Sequence, residues 1–284
     1  MSINISRVGE WSKEYEFAVD SEHICVFAEA TNDSIPEYLE GLIAPPVFSY
    51  IPIASVIEEI ISATISPEAL KFVIHAEQDL SLHQSIIPGK VLRSKGVLAG
   101  TRAVRKGTFL VFRTETRDEN GDLVNVQHMT LFLGGVTNAI STGDRAPSHR
   151  FPIDTKREDP LAVLNYHVDH NQAIRYAKVS GDHNPIHLDD DYAKSLGLPG
   201  LILHGLCTFA FCGRAVLASV CDDDPRSLKR LAARFSRPVF PGQDLVTSLW
   251  RQDDRDVREI YTFESISNGE VVIKDGLAEV GNSE

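Results

Sequence analysis

The sequence predicts an α+β fold made of two copies of one unit, in which a bent antiparallel sheet wraps around a long apolar helix. Three observations lead to this prediction: a weak internal repeat, an apolar helical segment in each half, and strand-like runs after each helix. The 284 residues fit two modest domains. A curled sheet is the simplest cover for a helix that is apolar on every side.

The repeat consists of two local matches that keep both their order and their spacing. Residues 87–92 (IPGKVL) resemble residues 240–245 (FPGQDL) at an offset of 153 positions. Residues 30–36 (ATNDSIP) resemble residues 179–185 (VSGDHNP) at an offset of 149 positions. Chance matches rarely preserve order and spacing together, so we predict two copies of one unit.

The boundaries of the copies follow from composition. We expect the first copy at residues 1–140 and the second at residues 160–284. Residues 141–159 between them are mostly polar, contain Pro147 and Pro152, and show little apolar periodicity. This composition is typical of a linker.

Each copy is expected to contain one apolar helix followed by four strands. The helices are predicted at residues 46–63 and 201–221. Turn dipeptides such as Pro88-Gly89 and Asn120-Gly121 separate the runs and favour hairpins. The predicted strands are residues 72–83, 91–101, 107–117 and 123–133 in the first copy, and 230–236, 244–253, 257–267 and 271–280 in the second.

Composition limits the classes of partner. With 28 basic and 40 acidic residues the formal net charge is −12, and this field repels phosphate backbones, so we expect no nucleic acid. The four cysteines form no CxxC pair and no secretory signal is recognisable, which predicts a cytoplasmic location. Residues 201–221 are long enough to span a bilayer, but His204 and Arg214 within them favour a buried core helix, so no membrane partner is expected.

The densest group of polar residues lies in residues 176–189, where Gly181 and Pro185 indicate a loop. Asp182 and His187 are five positions apart on this loop and can both converge on one water molecule. Two titratable groups around one water can take a proton from it and return a proton to a neighbouring carbon. This is the chemistry of adding water to a double bond, or of the reverse reaction.

Two simpler interpretations of these residues remain open. Asp182 could only tighten a turn through its own backbone, because Asp before Asn-Pro is common in turns. His187 could be a partly buried imidazole whose hydrogen bonds are satisfied. Gly205 lies near the start of the second apolar helix, where backbone N–H groups lack intrahelical partners and could polarise a carbonyl oxygen.

Residues 180–187 (SGDHNPIH) and 202–209 (ILHGLCTF) closely resemble the signature of the (R)-specific enoyl-CoA hydratases, also called hydratase 2 or MaoC-like dehydratases. The resemblance implies a double hot-dog fold and hydration of a trans-2-enoyl-CoA thioester to the (R)-3-hydroxyacyl-CoA. It implies Asp182 and His187 as the catalytic dyad and the Gly205 amide at the thioester carbonyl, with Asn184 of the same motif assigned to substrate binding. No metal and no redox cofactor are expected.

The first copy departs from that signature. Asp33 occupies the position of Asp182, but Tyr38 stands where the dyad histidine is expected, and residues 44–48 (APPVF) replace the LHGL stretch. We therefore expect the first copy to be inactive. The resemblance suggests that its helix at residues 46–63 lines a pocket for a bulky acyl chain, although its apolar residues could equally be ordinary core.

The phosphates of coenzyme A require cations. Arg234 and Arg237, close to Arg230 and Phe235, form the best basic group near the second copy's motif and are predicted to bind substrate, although exposed arginines are common. An acyl carrier protein could replace coenzyme A, and a homodimer is possible. Two other functions remain open: a hot-dog thioesterase, because fold does not fix reaction, and a non-catalytic acyl-thioester-binding module.

Overall fold

The computed structural model describes residues 2–136, 140–152, 157–252 and 258–282. Within these ranges the strands form one antiparallel sheet of eleven strands. Its order is β1-β3-β4-β5-β2-β8-β11-β10-β9-β7, with β6 paired to β3. The strands are β1 Tyr15–Ala18, β2 Val73–Leu82, β3 Val91–Val104, β4 Gly107–Arg117, β5 Leu123–Gly134, β6 Thr142–Gly143, β7 Ala162–His167, β8 Leu228–Phe235, β9 Asp244–Arg251, β10 Glu259–Ser267 and β11 Glu270–Val280.

The helices lie mainly before the strands of each half. The α-helices are α1 Ser21–Ala30, α2 Pro36–Leu39, α3 Ala54–Thr64, α4 Pro67–Leu70, α5 Gln172–Ser180, α6 Asp190–Ser195 and α7 Gly205–Val220. Short 3₁₀ helices are Ile5–Arg7, Pro46–Ile53, Pro185–His187 and Pro225–Ser227. The order of a long helix followed by antiparallel strands therefore occurs twice, as the repeat predicts.

The predicted strands match the observed ones with shifts of a few residues at their ends. Three strands lie outside the predicted runs: the edge strands β1 and β7, and the two-residue β6 in the predicted linker. β1 and β7 have only four and six residues and expose every other one, so neither gives a long apolar run. Residues 253 and 257, at the ends of two predicted strands, lie outside the described residues.

The two halves join through β2 and β8, which pair antiparallel from Glu77↔Arg234 to Ser81↔Arg230. Two ion pairs cross this seam. Arg230 Nη2 lies 2.6 Å from Asp79 Oδ2, and Arg234 Nη1 lies 3.4 Å from Glu77 Oε1. Asp79 is buried, so the seam is part of the protein interior. The positions of the domain boundaries at residues 140 and 160 stay a prediction; within the predicted linker, β6 pairs with β3.

The core helix of the second half is α7, for which eleven of sixteen residues are buried. It lies inside the predicted range 201–221. A large core cluster surrounds it and includes Phe209, Leu217 and Phe263, together with Phe27 and Phe48 of the first half. A second cluster packs α3 against β3, β4 and β5.

The first half differs from its prediction at the corresponding place. The single helix expected over residues 46–63 is instead the 3₁₀ helix Pro46–Ile53 followed by α3. Pro52 lies inside the 3₁₀ segment, and proline has no N–H to donate to an α-helical ladder. The stretch Pro46–Thr64 has the length and apolar composition of a membrane span, yet more than half of it is buried inside the protein, as a core helix would be.

Candidate active site

The loop that carries Asp182 begins where α5 ends at Gly181. Gly181 has φ +74°, a left-handed conformation that ends the helix without steric cost. The Asp182 N–H donates to Ser180 Oγ at 3.2 Å, and Asp182 Oδ1 accepts the Asn184 N–H at 3.1 Å. The turn role considered for Asp182 is therefore present, but it uses one carboxylate oxygen; among the described residues no group donates to the other.

His187 ends the 3₁₀ helix that follows. Its Nδ1–H donates to the Ile202 carbonyl at 2.9 Å, and since a carbonyl only accepts, Nε2 is the bare nitrogen of the neutral ring. Burial lowers the pKa of His187 below its usual range, against the raising effects of that hydrogen bond and of the Asp182 charge. The neutral ring with an accepting Nε2 is thus the favoured form.

His204 closes the other side of the loop. Its Nε2–H donates to the Asp182 backbone carbonyl at 3.0 Å, which ties the loop to the residue just before α7. Its ring stacks on that of His187 with centroids 3.8 Å apart and planes 25° apart. Burial first, and the neighbouring His187 second, lower the pKa of His204 to about 4. Its buried Nδ1 has no partner within the described part of the chain.

The Asp182, His187 and His204 side chains therefore come together. One atom each from Asp182, His187 and His204 lie within 4.8 Å of one another. Such a set could bind a cation, but one nitrogen of each ring is already used in a hydrogen bond to a backbone carbonyl. The arrangement suits a water molecule whose protons two of these atoms accept; the expected absence of a metal stays a prediction.

Gly205 is the first residue of α7, so its N–H is among those without an intrahelical acceptor, at the positive end of the helix dipole. A Cβ placed on Gly205 would lie 3.5 Å from the Phe235 ring, which is ordinary van der Waals contact. Phe235 therefore lies directly beside the start of α7. A carbonyl oxygen near this amide would meet a preoriented donor.

The first half contributes residues that sequence reasoning missed. The charge of Asp182 acts on Tyr50 and His75, which precede the motif by more than a hundred residues. Burial raises the pKa of Tyr50 and lowers that of His75 to about 4. The site therefore lies where the two halves meet. No local pattern marks these positions, because the packing of the halves alone brings them near Asp182.

Comparisons with known proteins agree with this geometry. Residues 152–270 match the family of MaoC-like domains, and residues 6–127 match a FAS1-like dehydratase domain region. The 3-hydroxyacyl-thioester dehydratase Y of Mycobacterium tuberculosis is 33% identical over 227 residues, which cover 76% of this chain and 74% of that protein. The chain belongs to the MaoC-like dehydratase family.

A second relative is the peroxisomal enoyl-CoA hydratase 2 of Arabidopsis thaliana, 32% identical over 195 residues. The match covers 66% of this chain and 62% of the plant protein, slightly less than two thirds of its length. A crystal structure of a MaoC-like dehydratase from Phytophthora capsici superposes with a TM-score of 0.85 at 22% identity, covering 99% of this chain and 100% of that one.

A Mycobacterium tuberculosis protein described as having a double hot-dog fold superposes with a TM-score of 0.58 at 13% identity, covering 94% of each chain. At these identities the two structures are evidence for the fold alone. The predicted double hot-dog architecture is confirmed for this MaoC-like dehydratase.

The other predicted substrate-binding residues of this MaoC-like dehydratase have hydrogen-bond or ion-pair partners of their own, and only Asn184 lies on the dyad loop. Asn184 Oδ1 accepts the Ile186 N–H at 3.3 Å and so caps the 3₁₀ helix that presents His187. Arg234 pairs with Glu77, and Arg237 pairs with Glu270 at 3.2 Å on the surface. Arg234 precedes Phe235 in β8 and Arg237 follows it by two positions, and neither arginine contacts Asp182 or His187 among the described residues.

The corresponding place in the first half is filled. Asp33 is 6% exposed, and its Oδ1 lies 3.3 Å from Arg214 Nε, a side chain that comes from α7 of the other half. Burial raises the pKa of Asp33 to about 6, in spite of Arg214. Tyr38 is fully buried, and its hydroxyl has no partner among the described residues.

Proposed function

We propose that this MaoC-like dehydratase catalyses the reversible hydration of a trans-2-enoyl-CoA thioester to the (R)-3-hydroxyacyl-CoA. The observation that carries the proposal is the meeting of the Asp182 carboxylate, the accepting Nε2 of His187 and the start of α7 at one place. The names of the relatives, an enoyl-CoA hydratase and a 3-hydroxyacyl-thioester dehydratase, support the reaction class.

In the hydration direction the water oxygen forms a bond to the β-carbon while the Asp182–His187 pair takes one of its protons. The electrons of the double bond move toward the thioester carbonyl, whose developing negative charge the Gly205 N–H stabilises. The pair then supplies a proton to the α-carbon, so that one water is added and no other reactant is consumed. Both groups would contact the same water, so the acid and base roles are assigned to the pair.

The choice of coenzyme A and the (R) configuration are finer parts of the proposal. Arg237 forms a surface ion pair in which both side chains are more than half exposed, and such a pair is broken at little cost. It is therefore available to a coenzyme A phosphate, and Arg234 lies three positions earlier in the chain, on β8. The cytoplasmic location, the homodimer and the use of an acyl carrier protein stay predictions.

The test is to incubate the purified protein with short, medium and branched 2-enoyl-CoA thioesters and to follow the conjugated enoyl absorbance, with free-thiol detection in parallel. Loss of absorbance without thiol, abolished by Asp182→Asn, is the expected result, with chiral analysis giving the (R) product. Thiol release that survives Asp182→Asn would instead indicate a thioesterase, and tight binding without turnover would indicate a binding module.

The coenzyme A part is tested separately with Arg237→Gln. We expect the KM for an enoyl-CoA to rise severalfold, while the KM for the same acyl group on N-acetylcysteamine, which has no phosphate, stays unchanged. Arg93→Gln is the matched control, because Arg93 forms a comparable surface pair with Glu16 in the first half. An equal rise for both thioesters would contradict a phosphate contact.

A further inference from the structure

A histidine of the first half borders the site from the opposite side of the seam. His75 lies in β2, and its ring packs on Phe235 of β8 with centroids 4.8 Å apart. Phe235 is the ring that lies within 3.5 Å of a Cβ built on Gly205. The Asp182 charge acts on the same imidazole. His75 is thus joined through Phe235 to the start of α7.

A buried chain of amides fixes the orientation of His75. Gln127 Nε2 donates to the Ser49 carbonyl at 2.8 Å, so its Oε1 is the acceptor for Gln78 Nε2 at 2.9 Å. Gln78 Oε1 must then accept from His75 Nε2–H at 3.1 Å. Since the Ser49 carbonyl can only accept, it sets the direction of the whole chain. Gln78 and Gln127 are 1% and 2% exposed, so water does not compete for these bonds.

The chain has a consequence for the charge of His75. Burial disfavours the protonated ring, and the one N–H that Gln78 requires is satisfied in the neutral form. A neutral ring does not form an ion pair with Asp182, so the carboxylate remains free to act on water. The hydrogen bonds from Ser49 through Gln127 and Gln78 therefore hold an uncharged His75 ring next to the reactive groups.

We propose that His75 is a positioning residue of the hydratase site: held by Gln78, it fixes the Phe235 ring beside Gly205 and so orients the enoyl thioester on the Gly205 amide. This inference rests on the proposed function. It assigns to the degenerate first half a direct part in the geometry of the second half's reaction. The groups that carry it come from strands β2 and β8 on the two sides of the seam.

The first measurement is the split between kcat and KM. His75→Ala is expected to lower kcat about tenfold or more with little change in KM, because a misplaced acyl group still binds but reacts less often. His75→Phe keeps a ring against Phe235 and leaves the Gln78–Gln127–Ser49 hydrogen bonds in place, so it should recover most of the lost kcat.

His128→Ala is the matched control. His128 is another partly buried histidine of the first half, on β5, and its pKa responds chiefly to burial, Asp79 and Arg113. His128→Ala should lower the melting temperature about as much as His75→Ala does, but it should leave kcat unchanged. An equal loss of kcat in His75→Ala and His128→Ala, or no loss in His75→Ala, would overturn the inference.

A second readout needs no turnover. Cinnamoyl-CoA absorbs at longer wavelength when its carbonyl is polarised, so its spectrum bound to Asp182→Asn reports contact with the Gly205 amide. Adding His75→Ala should remove most of the shift. If the shift depends on His75 but the unsubstituted protein hydrates no enoyl thioester, the proposed function is contradicted while the positioning role of His75 stands. If the shift does not depend on His75, the inference alone is contradicted.

Discussion

The two halves hold an aspartate at corresponding positions in opposite surroundings. Asp182 is exposed on a loop beside neutral His187 and His204, whereas Asp33 is buried against Arg214. Because Arg214 comes from the core helix of the other half, the first site differs by more than the exchange of a histidine for Tyr38. The Arg214 guanidinium lies against the Asp33 carboxylate, where a water would have to bind.

The starts of the two core helices show the same contrast. His204 and Gly205 begin α7 with a free amide, while Pro45 and Pro46 begin the 3₁₀ helix of the first half. Proline has no N–H, so the first half has no equivalent donor for a carbonyl oxygen. Both the water-binding group and the carbonyl-binding group are therefore absent from it, which agrees with its predicted inactivity.

The largest expected effect concerns the dyad. His187→Gln should lower kcat about a thousandfold, because it removes one of the two groups that exchange protons with water. Tyr38→Phe should leave kcat unchanged, since the Tyr38 hydroxyl has no partner among the described residues. Initial rates of enoyl consumption check both variants. Comparable losses in the two would mean that the halves are not functionally distinct.

A smaller loss is expected when the helix start of the second half is made to resemble the first. Gly205→Pro should lower kcat about a hundredfold, because one oxyanion donor is removed. Proline is well tolerated as the first residue of a helix, so the fold should persist. Gly205→Ala keeps the N–H, and its Cβ meets Phe235 at an ordinary 3.5 Å, so it should retain most activity. If the alanine variant were as slow as the proline variant, the amide would not be the relevant group.

The buried aspartate of the first half should affect stability instead of activity. The folded-state pKa of Asp33, about 6, lies above its unfolded value of 3.8, so its stabilising contribution is present below pH 3.8 and is lost as the pH rises through 6. The unfolding free energy of Asp33→Asn minus that of the unsubstituted protein should therefore be about 2 kcal/mol larger at pH 7 than at pH 4. Urea titrations at both pH values measure this difference, and a difference independent of pH would contradict it.

The smallest effect concerns the pH dependence of the second site. Burial lowers the pKa of His187, so the neutral ring persists below pH 6.5 and protonation requires more acid than usual. If neutral His187 is the active form, kcat/KM should change little between pH 8 and pH 6.5 and fall only below that range. An acid limb centred above pH 7 would contradict the assignment.

Local sequence signals were sufficient for much of the site. The loop with Gly181 and Pro185 presents Asp182 and His187 because the residues that form it are adjacent in the chain. Gly205 was placed correctly because the apolar helix and its start are visible in the sequence. The strands β2 to β5 and β8 to β11 follow from alternating apolar runs with turn residues between them.

Contacts across the seam could not be predicted in this way. Arg214 on Asp33, and His75 on Phe235, join residues that are more than 150 positions apart, and no pattern within either segment marks the partner. The replacement of a single helix by a 3₁₀ segment and α3 also escaped the prediction. Pro52 indicates a break in the α-helix, but the high apolar content of residues 46–63 favours a single helix in the prediction.

The pairing of β2 with β8 also bears on how such a chain can evolve. A polypeptide with a single copy would leave this strand edge open and would need a second, identical chain to cover it. Every substitution in such a symmetric pair appears in both sites at once. Covalent fusion makes the partner permanent and lets the two copies change independently. The second copy can then keep the reactive residues, while the first acquires Pro45, Pro46 and Tyr38 and contributes His75 to the other site.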